Sequence, residues 1–429
     1  MKAAIPTWQL TSEVSVPTAA RAPTRPNNLL LEVGVPFRLL QGQVHLETQA
    51  HQGVRQWLAN FDRVTLCAAV VPETCVDPSM DWTPAGDLVA QGLSIQLFPW
   101  SYHIHDHVRN VGNVRRIMRE LIPLHTHLCF TTLGWLGMWG SVGCEESRRL
   151  GRKYAIWLDW VLHEMPSSRA SNPVLGVWKH FQAAMLKRQS LRDVAESSLG
   201  LFNGRSVYDG YAAYCRVPRV AHNIHMGLED LIPTSQLLQR LERKSDTINL
   251  ICVGRVHEMK GPRHWLAAVQ SLLALWRGKR SIRATWLGTG PMIEEMRQLT
   301  AQAGLSATVS FPGHQSDRKR LLDTMREADA FVFCNLAPES PRSLIEALMC
   351  GLPVFGFESA FALDVLGAHT AAGAFVPVGD TEALARSLAA CLDDSAKLRR
   401  MALAGRNAGA EFSEEAVFRH RSDLIKEFL

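Results

Sequence analysis

Ala330-Phe331-Val332-Phe333-Cys334 runs without a polar residue other than its closing thiol, and Pro338-Glu339-Ser340-Pro341-Arg342-Ser343-Leu344-Ile345-Glu346-Ala347 follows it closely. The first run has the length and the aromatic and branched side chains of one buried strand. In the second, Ser340 is a good helix cap, and Pro341 suits the first helical position, where its missing N–H costs nothing. Leu344, Ile345 and Leu348 fall on one face, and Gly351 with Pro353 supplies the stop. The spacing predicts a strand, a loop and a short helix beginning at Pro341. Such a turn presents the backbone N–H groups of Arg342, Ser343 and Leu344, and the positive end of the helix dipole, to the space above the strand end. A diphosphate would be held there. Glu339 would point into the same space, and Glu346 would accept hydrogen bonds from two neighbouring hydroxyls. The alternative is plainer: Glu339 complements the dipole and Glu346 is a solvated surface residue.

Working outward, Ile248 to Val253 is a second apolar run, ending in Gly254-Arg255 and followed by Lys260-Gly261-Pro262. Glycine lets backbone approach a ligand, arginine offers a planar fork to phosphate oxygens, and lysine adds a mobile point charge. This is not a Walker loop, since no Gly-Lys-Ser/Thr follows four spaced residues. Trp286-Leu287-Gly288-Thr289-Gly290-Pro291 and Phe311-Pro312-Gly313-His314 repeat the pattern of a strand ending in glycine.

In order as well as in kind, these residues resemble the retaining glycosyltransferases of the GT-B fold, the large bacterial group usually numbered family 4. That family looks like strand-Gly-Arg, Lys-Gly, a Gly-x-Gly turn, a further Gly and a Glu-x7-Glu pair. Here these are Gly254-Arg255, Lys260-Gly261, Gly288-Thr289-Gly290, Gly313 and Glu339 with Glu346. One departure is that Glu339 and Glu346 stand seven positions apart rather than eight, so the loop before the helix is a residue shorter. The resemblance implies two Rossmann-like α/β domains of parallel strands facing a cleft, and a nucleotide-diphosphate sugar as donor. It implies no metal and no other cofactor, in keeping with the absence of an Asp-x-Asp. It implies transfer of a hexose-type sugar, with retention, to a hydroxyl of a glycan or lipid-linked acceptor. Arg255, Lys260 and the helix start, including Ser340, would stabilise the leaving diphosphate. Glu339 would orient the sugar, and Glu346 would hold the ribose. The leaving phosphate would take the acceptor's proton, so no side-chain base is needed. A rival from another class is a catalytically inactive nucleotide-sugar-binding subunit of a glycan-assembly complex. An epimerase or phosphorylase of the same fold fits the Arg-Lys and Glu order less well.

The 429 residues, 47% hydrophobic and 20% charged, exceed one ordinary core and suit two domains. The expected division is an irregular arm over 1–26, an acceptor-side domain over 27–225, a linker over 226–246, a donor-side domain over 247–411 and a last helix over 412–429. In the family such a helix crosses back to the first domain. Nine cysteines without a Cys-x-x-Cys pair read as buried thiols in a reducing compartment. No charged and apolar leader opens the chain and no run suffices for a membrane span, so a cytoplasmic location is expected. The net charge of +5 is small and does not call for nucleic acid.

The first half is less explicit. Leu29 to Val33, Val64 to Val70 and Leu93 to Leu97 read as strands, with a helix expected over Leu46 to Phe61. Gly42, after the first strand and before its helix, is the place for a loop approaching the donor diphosphate. Ala155-Ile156-Trp157-Leu158-Asp159 is a strand ending in an acid, where family members often carry a His or Asp facing the transferred sugar. Asp159 either has that role or caps the next segment. Leu128 to Cys144 has glycine at every third place from Gly134 to Gly143, which suits close packing on a sheet, while Trp135 and Trp139 would otherwise border an acceptor pocket or touch lipid. His103, His105 and His107 alternate, either as metal ligands on a strand or as unrelated residues at a helix entrance. Arg109, Arg115, Arg116 and Arg119, and then Lys179, Lys187, Arg188 and Arg192, form basic clusters with apolar neighbours. They mark either solvated helix faces or peripheral contact with the anionic inner face of the cytoplasmic membrane.

Overall fold

The structure, a computed structural model, describes residues 27–77, 80–132, 138–159, 184–185, 187–243, 245–337 and 339–429. The arm over 1–26, Gly134, Trp135, Gly137, Lys179 and Pro338 lie outside the described residues.

Two parallel sheets organise the chain. In the first, the spatial order is Pro218–Ala221, Leu199–Asn203, Ala155–Leu158, His127–Thr131, Asn28–Glu32, Arg63–Ala69 and Leu93–Phe98. In the second it is Val309–Gly313, Ser281–Leu287, Thr247–Val253, Ala330–Phe333, Val354–Phe357 and Gly373–Val376. Strands such as Leu199–Asn203 and Ala330–Phe333 are buried along their whole length, as expected where helices cover both faces. In each sheet the winding reverses beside its first strand, and the two loops there diverge to leave a crevice. In the second sheet those loops follow Val253 and Phe333. They carry Gly254-Arg255 and Glu339-Ser340, which is where the sequence placed the diphosphate.

The described region between Leu31 and Phe98 departs from the expected pattern. Phe37–Leu40 and Gln43–Glu47 form an antiparallel hairpin, joined on its far side by Trp82–Pro84. Its two-residue turn is Gln41-Gly42, with φ of 50° and 79°, so Gly42 is a hairpin tip rather than part of a strand-to-helix loop. The helix begins at Thr48 rather than Leu46, because the Glu47 carboxylate accepts the Ala50 N–H at 3.0 Å and fixes the start. Leu46 is instead buried in the hairpin.

Glycine does what its spacing suggested at Gly140 and Gly143. A Cβ on Gly140 would lie 2.0 Å from the Thr131 carbonyl oxygen, and one on Gly143 would strike the Phe130 ring at 2.6 Å, so the helix Gly140–Arg149 lies directly on its strand. His103 to His107 sit at the entrance of the helix Ile104–Leu121, not on a strand. On that helix Arg115, Arg116 and Arg119 are spent in ion pairs with Glu145, Glu120 and Glu146. Seven of the nine cysteines are buried, Cys215 is half-buried and Cys75 is exposed.

The chain passes from the first sheet to the second through residues 222–233 and returns at 411–413. The helix Thr234–Glu242 lies within the expected linker and packs Leu237 against Ile232 and Ala402. The last helix, Glu414–Phe428, is capped by Ser413, whose hydroxyl accepts the Ala416 N–H at 3.2 Å. Its Val417 joins the core of the second domain, while Phe418, Leu424 and Ile425 join that of the first. Phe418 meets Trp57 edge-on at 5.3 Å. Burying each of these large side chains stabilises the union by roughly 2 kcal/mol before entropy is counted. No described helix is long and apolar enough to cross a membrane.

Candidate functional site

The turns at the strand ends of the second sheet are built by backbone contact between neighbours. The Gly254 N–H donates to the Leu287 carbonyl and the Gly288 N–H to the Gly313 carbonyl, each at 2.9 Å. Gly288 has φ of 146°, and a Cβ there would fall 2.0 Å from the Gly254 oxygen, so only glycine fits. Gly290 presses on Val256 in the same way, at 2.4 Å from its carbonyl oxygen. Gly261 is left-handed, and its Cβ would meet the Cys334 carbonyl oxygen at 2.1 Å. That contact draws Lys260, at the end of a short 3-10 turn, against the exit of the Ala330–Phe333 strand.

The result is an ion pair. Lys260 Nζ lies 2.7 Å from Glu339 Oε1, with both side chains about four-fifths buried. The angle leaves Oε1 without a well-aligned hydrogen bond. Arg255 is exposed and has no ion-pair partner among the described residues. His314 is exposed at the end of its strand.

The helix start differs in detail from the expected one. The first helical residue is Arg342, Pro341 occupies the cap position, and no side chain caps the helix. Ser340 instead donates its hydroxyl proton to the Asn203 carbonyl in the other domain, at 2.7 Å. The Leu344 N–H is already taken by the Pro341 carbonyl at 3.0 Å, so the first-turn donors without a partner among the described residues are the amides of Arg342 and Ser343. Arg342 reaches across to Gln49 Oε1 at 2.8 Å. Two hydrogen bonds, from Ser340 and Arg342, thus join the lobes beside the first turn of this helix.

Glu346 is half-buried, and burial pushes its carboxyl above the usual range while Arg342, Arg318 and His225 pull it down. Asp159 follows the same rule: burial raises it, and Arg421, the Trp157 indole N–H, Arg342 and His225 lower it. Arg342 and His225 therefore act on both carboxyls, one from each half of the chain. Gly42, at its hairpin tip, has no atom within 4 Å of where a Cβ would be, and no described contact ties it to these residues.

Comparison with known proteins bears on the fold. Residues 233–408 match the family described as glycosyl transferases group 1. A curated relative, the 2-deoxystreptamine N-acetyl-D-glucosaminyltransferase of Streptomyces fradiae, is 30% identical over 175 residues, which make up 39% of this chain and 41% of the relative. The match thus spans less than half the length of that relative. Among solved structures, Anabaena HepE in complex with UDP superposes with a TM-score of 0.64 at 16% identity, covering 94% of this chain and 100% of that one. Sucrose-phosphate synthase from Thermosynechococcus elongatus gives 0.63 at 14% identity, covering 94% and 98%.

The chain has the GT-B fold. The stretch similar to the glycosyl transferases group 1 family falls on its second lobe. In these GT-B lobes the structure adds residues that the sequence did not single out. Gln49 and Asn203 are ordinary polar residues until the lobes face each other. Glu32 is a charged side chain inside an otherwise apolar run, a signal that was legible, whereas Arg421 stands among Arg419, His420, Ser422 and Asp423 and is not marked out by its neighbours. Glu32 ends the first strand, 1% exposed, with Oε1 accepting the Trp139 N–H at 3.0 Å and Oε2 without a hydrogen-bond partner among the described residues. Burial pushes its carboxyl up to about 8.

Proposed function

We propose that this protein is a retaining glycosyltransferase of the family 4 type, moving a hexose-type sugar from a uridine-diphosphate donor to a hydroxyl of a glycan or lipid-linked acceptor. The observation that carries the reading is the meeting of Lys260 with Glu339 beside the open amides of Arg342 and Ser343, in the crevice where the second sheet reverses. Anabaena HepE, which shares the fold, has been solved with UDP, with UDP and glucose, and with UDP-glucose, which supports a uridine-diphosphate donor.

In this reading the work is electrostatic. As the bond to the anomeric carbon breaks, negative charge gathers on the diphosphate, and Lys260, Arg255 and the first-turn amides stabilise it. Glu339 accepts hydrogen bonds from the sugar hydroxyls, exchanging part of its attraction to Lys260 for them. Glu346 accepts from the ribose. Asp159 faces the transferred sugar from the opposite wall, and the leaving phosphate takes the acceptor's proton. Glu339 and Lys260 lie on one side of the broken bond, unlike the opposed acid and nucleophile of a glycosidase. No metal or other cofactor is required, since protein cations and amides carry the charge.

The protein would act in the cytoplasm, meeting lipid-linked acceptors at the inner membrane face. Ile104 and Val108, 61% and 68% exposed and one helical turn apart beside Arg109, favour that contact. A thermal-shift screen over nucleotide sugars, followed by transfer assays, tests the function. Stabilisation by UDP-sugars together with sugar transfer is expected, and binding without turnover of any donor would favour an inactive subunit instead.

A further inference from the structure

Arg421 sits on the last helix, which returns from the donor-side lobe to the acceptor-side lobe, and it is fully buried. A guanidinium brings five N–H donors, and this one uses few of them. One terminal nitrogen donates to the His222 carbonyl, while Nε and the other terminal nitrogen have no hydrogen-bond partner among the described residues. Its plane is held between two aromatic rings, 4.5 Å from the centroid of Trp157 and 4.6 Å from that of Phe418. The same Trp157 donates its indole N–H to Asp159 Oδ1 at 3.0 Å. One indole therefore offers its face to the cation and its edge to the carboxylate. Stacking on aromatic rings offsets only part of the cost of burying a guanidinium, and a buried charge of this kind needs a counter-charge nearby.

We propose that Arg421 is a positioning residue for Asp159, holding that carboxylate ionised and aimed into the cleft through the shared Trp157 ring. The proposal rests on the reading in which Asp159 faces the transferred sugar. The charged groups around the pair are few. Asp159 is met by Arg421 from the last helix, Arg342 from the donor-side helix and His225 from the crossing segment. Arg421 is met by Asp159, by Cys129 on the neighbouring strand and by Glu414 on its own helix. Asp159 is the largest of the three influences on Arg421, and Arg421 is the largest of the cations acting on Asp159. Each charge is thus the principal counter-charge of the other. Because Arg421 rides on the segment that crosses between lobes, the ionisation of an acceptor-side carboxylate depends on that helix being docked.

The test uses the full chain labelled at the aspartate carboxyl carbon, with the Asp159 resonance assigned by its loss in Asp159→Asn. In Arg421→Met, which keeps an unbranched chain between the two rings and removes the charge, the Asp159 titration midpoint should rise by about one pH unit or more, a tenfold change in its acid constant. Arg421→Lys should hold the midpoint near its original value. UDP release from UDP-glucose should show an acid limb that moves with the midpoint. A folded Arg421→Met variant with an unmoved midpoint overturns the proposal. In the unaltered protein the Arg421 Nε nitrogen resonance should shift with the Asp159 midpoint, independently of whether the Met variant folds, and no such shift also overturns it. Unchanged UDP release in Asp159→Asn would instead remove Asp159 from the reaction, a separate failure seen in a separate measurement.

Discussion

Replacing Lys260 by methionine keeps most of its stem and deletes its charge. At 2.7 Å from Glu339, with an effective dielectric near 20, the gross attraction between the two is about 6 kcal/mol. Part of that is offset by desolvation and by the ordering of two side chains, but the substitution leaves a largely buried Glu339 without its cation, so the loss in stability should be about 2 to 3 kcal/mol. Turnover of the protein that remains folded should fall as well. If the ammonium stabilises charge that grows on the leaving diphosphate, removing one such donor from a closed site costs roughly a hundredfold or more, or about 2.7 kcal/mol of activation free energy. Steady-state release of UDP from UDP-glucose measures this directly. The Glu339→Gln background separates two roles for the lysine. A lysine that merely anchors Glu339 would add nothing once the carboxylate is gone, whereas one that touches the diphosphate would cost the same hundredfold again. A folded Lys260→Met protein turning over within about threefold of the original would refute the assignment.

Arg255→Ala should also lower turnover about a hundredfold, and because the side chain is exposed without an ion-pair partner its melting temperature should not change; a large loss of stability would point to a structural role. Glu346→Gln should weaken UDP binding measured by calorimetry. Since burial raises the Glu346 carboxyl, the original protein should lose UDP affinity on acidification sooner than an ordinary glutamate would dictate, and the Gln variant should lack that limb. Gly288→Ala places a methyl 2.0 Å from the Gly254 oxygen and should cost both stability and donor affinity; a variant that melts and binds like the original would remove the close approach from the account. Glu32 is raised from 4.5 to about 8, so the folded state keeps a proton that the unfolded chain releases. Its contribution is complete below pH 4.5 and is lost as the pH rises through 8. Glu32→Gln should therefore be nearly neutral at pH 5 and stabilising at pH 8.5, and equal shifts in melting temperature at both would contradict the raised value.

The donor-side lobe was legible because its signals are local. A strand, a glycine and a helix start occupy a dozen residues, and Gly254, Gly288 and Gly313 mark three neighbouring strand ends that backbone hydrogen bonds then join. Ser340 shows where such reading stops. It is an excellent cap by composition, yet its hydroxyl is drawn away by a carbonyl of Asn203, 137 residues earlier in the chain. The hairpin at Gln41-Gly42 was missed for a related reason. Gln at a left-handed position is an uncommon turn residue, and the apolar spacing from Leu46 continues smoothly into a true helix, hiding the boundary at Glu47. Basic side chains on the helix Ile104–Leu121 read as a charged face, but their acidic partners Glu145 and Glu146 stand on another helix. Pairings of this kind depend on the finished topology.

The two covalent spans between the lobes lie side by side. The Glu414 N–H donates to the Met226 carbonyl at 2.7 Å, and the rings of His222 and Phe412 approach to 4.8 Å. A gate hung on two adjacent pins swings about the line through them and resists twisting or sliding. Any opening of this clamshell should therefore be a single rotation, least at Met226 and larger where Ser340 meets Asn203 and Arg342 meets Gln49, so that these two hydrogen bonds together serve as the latch.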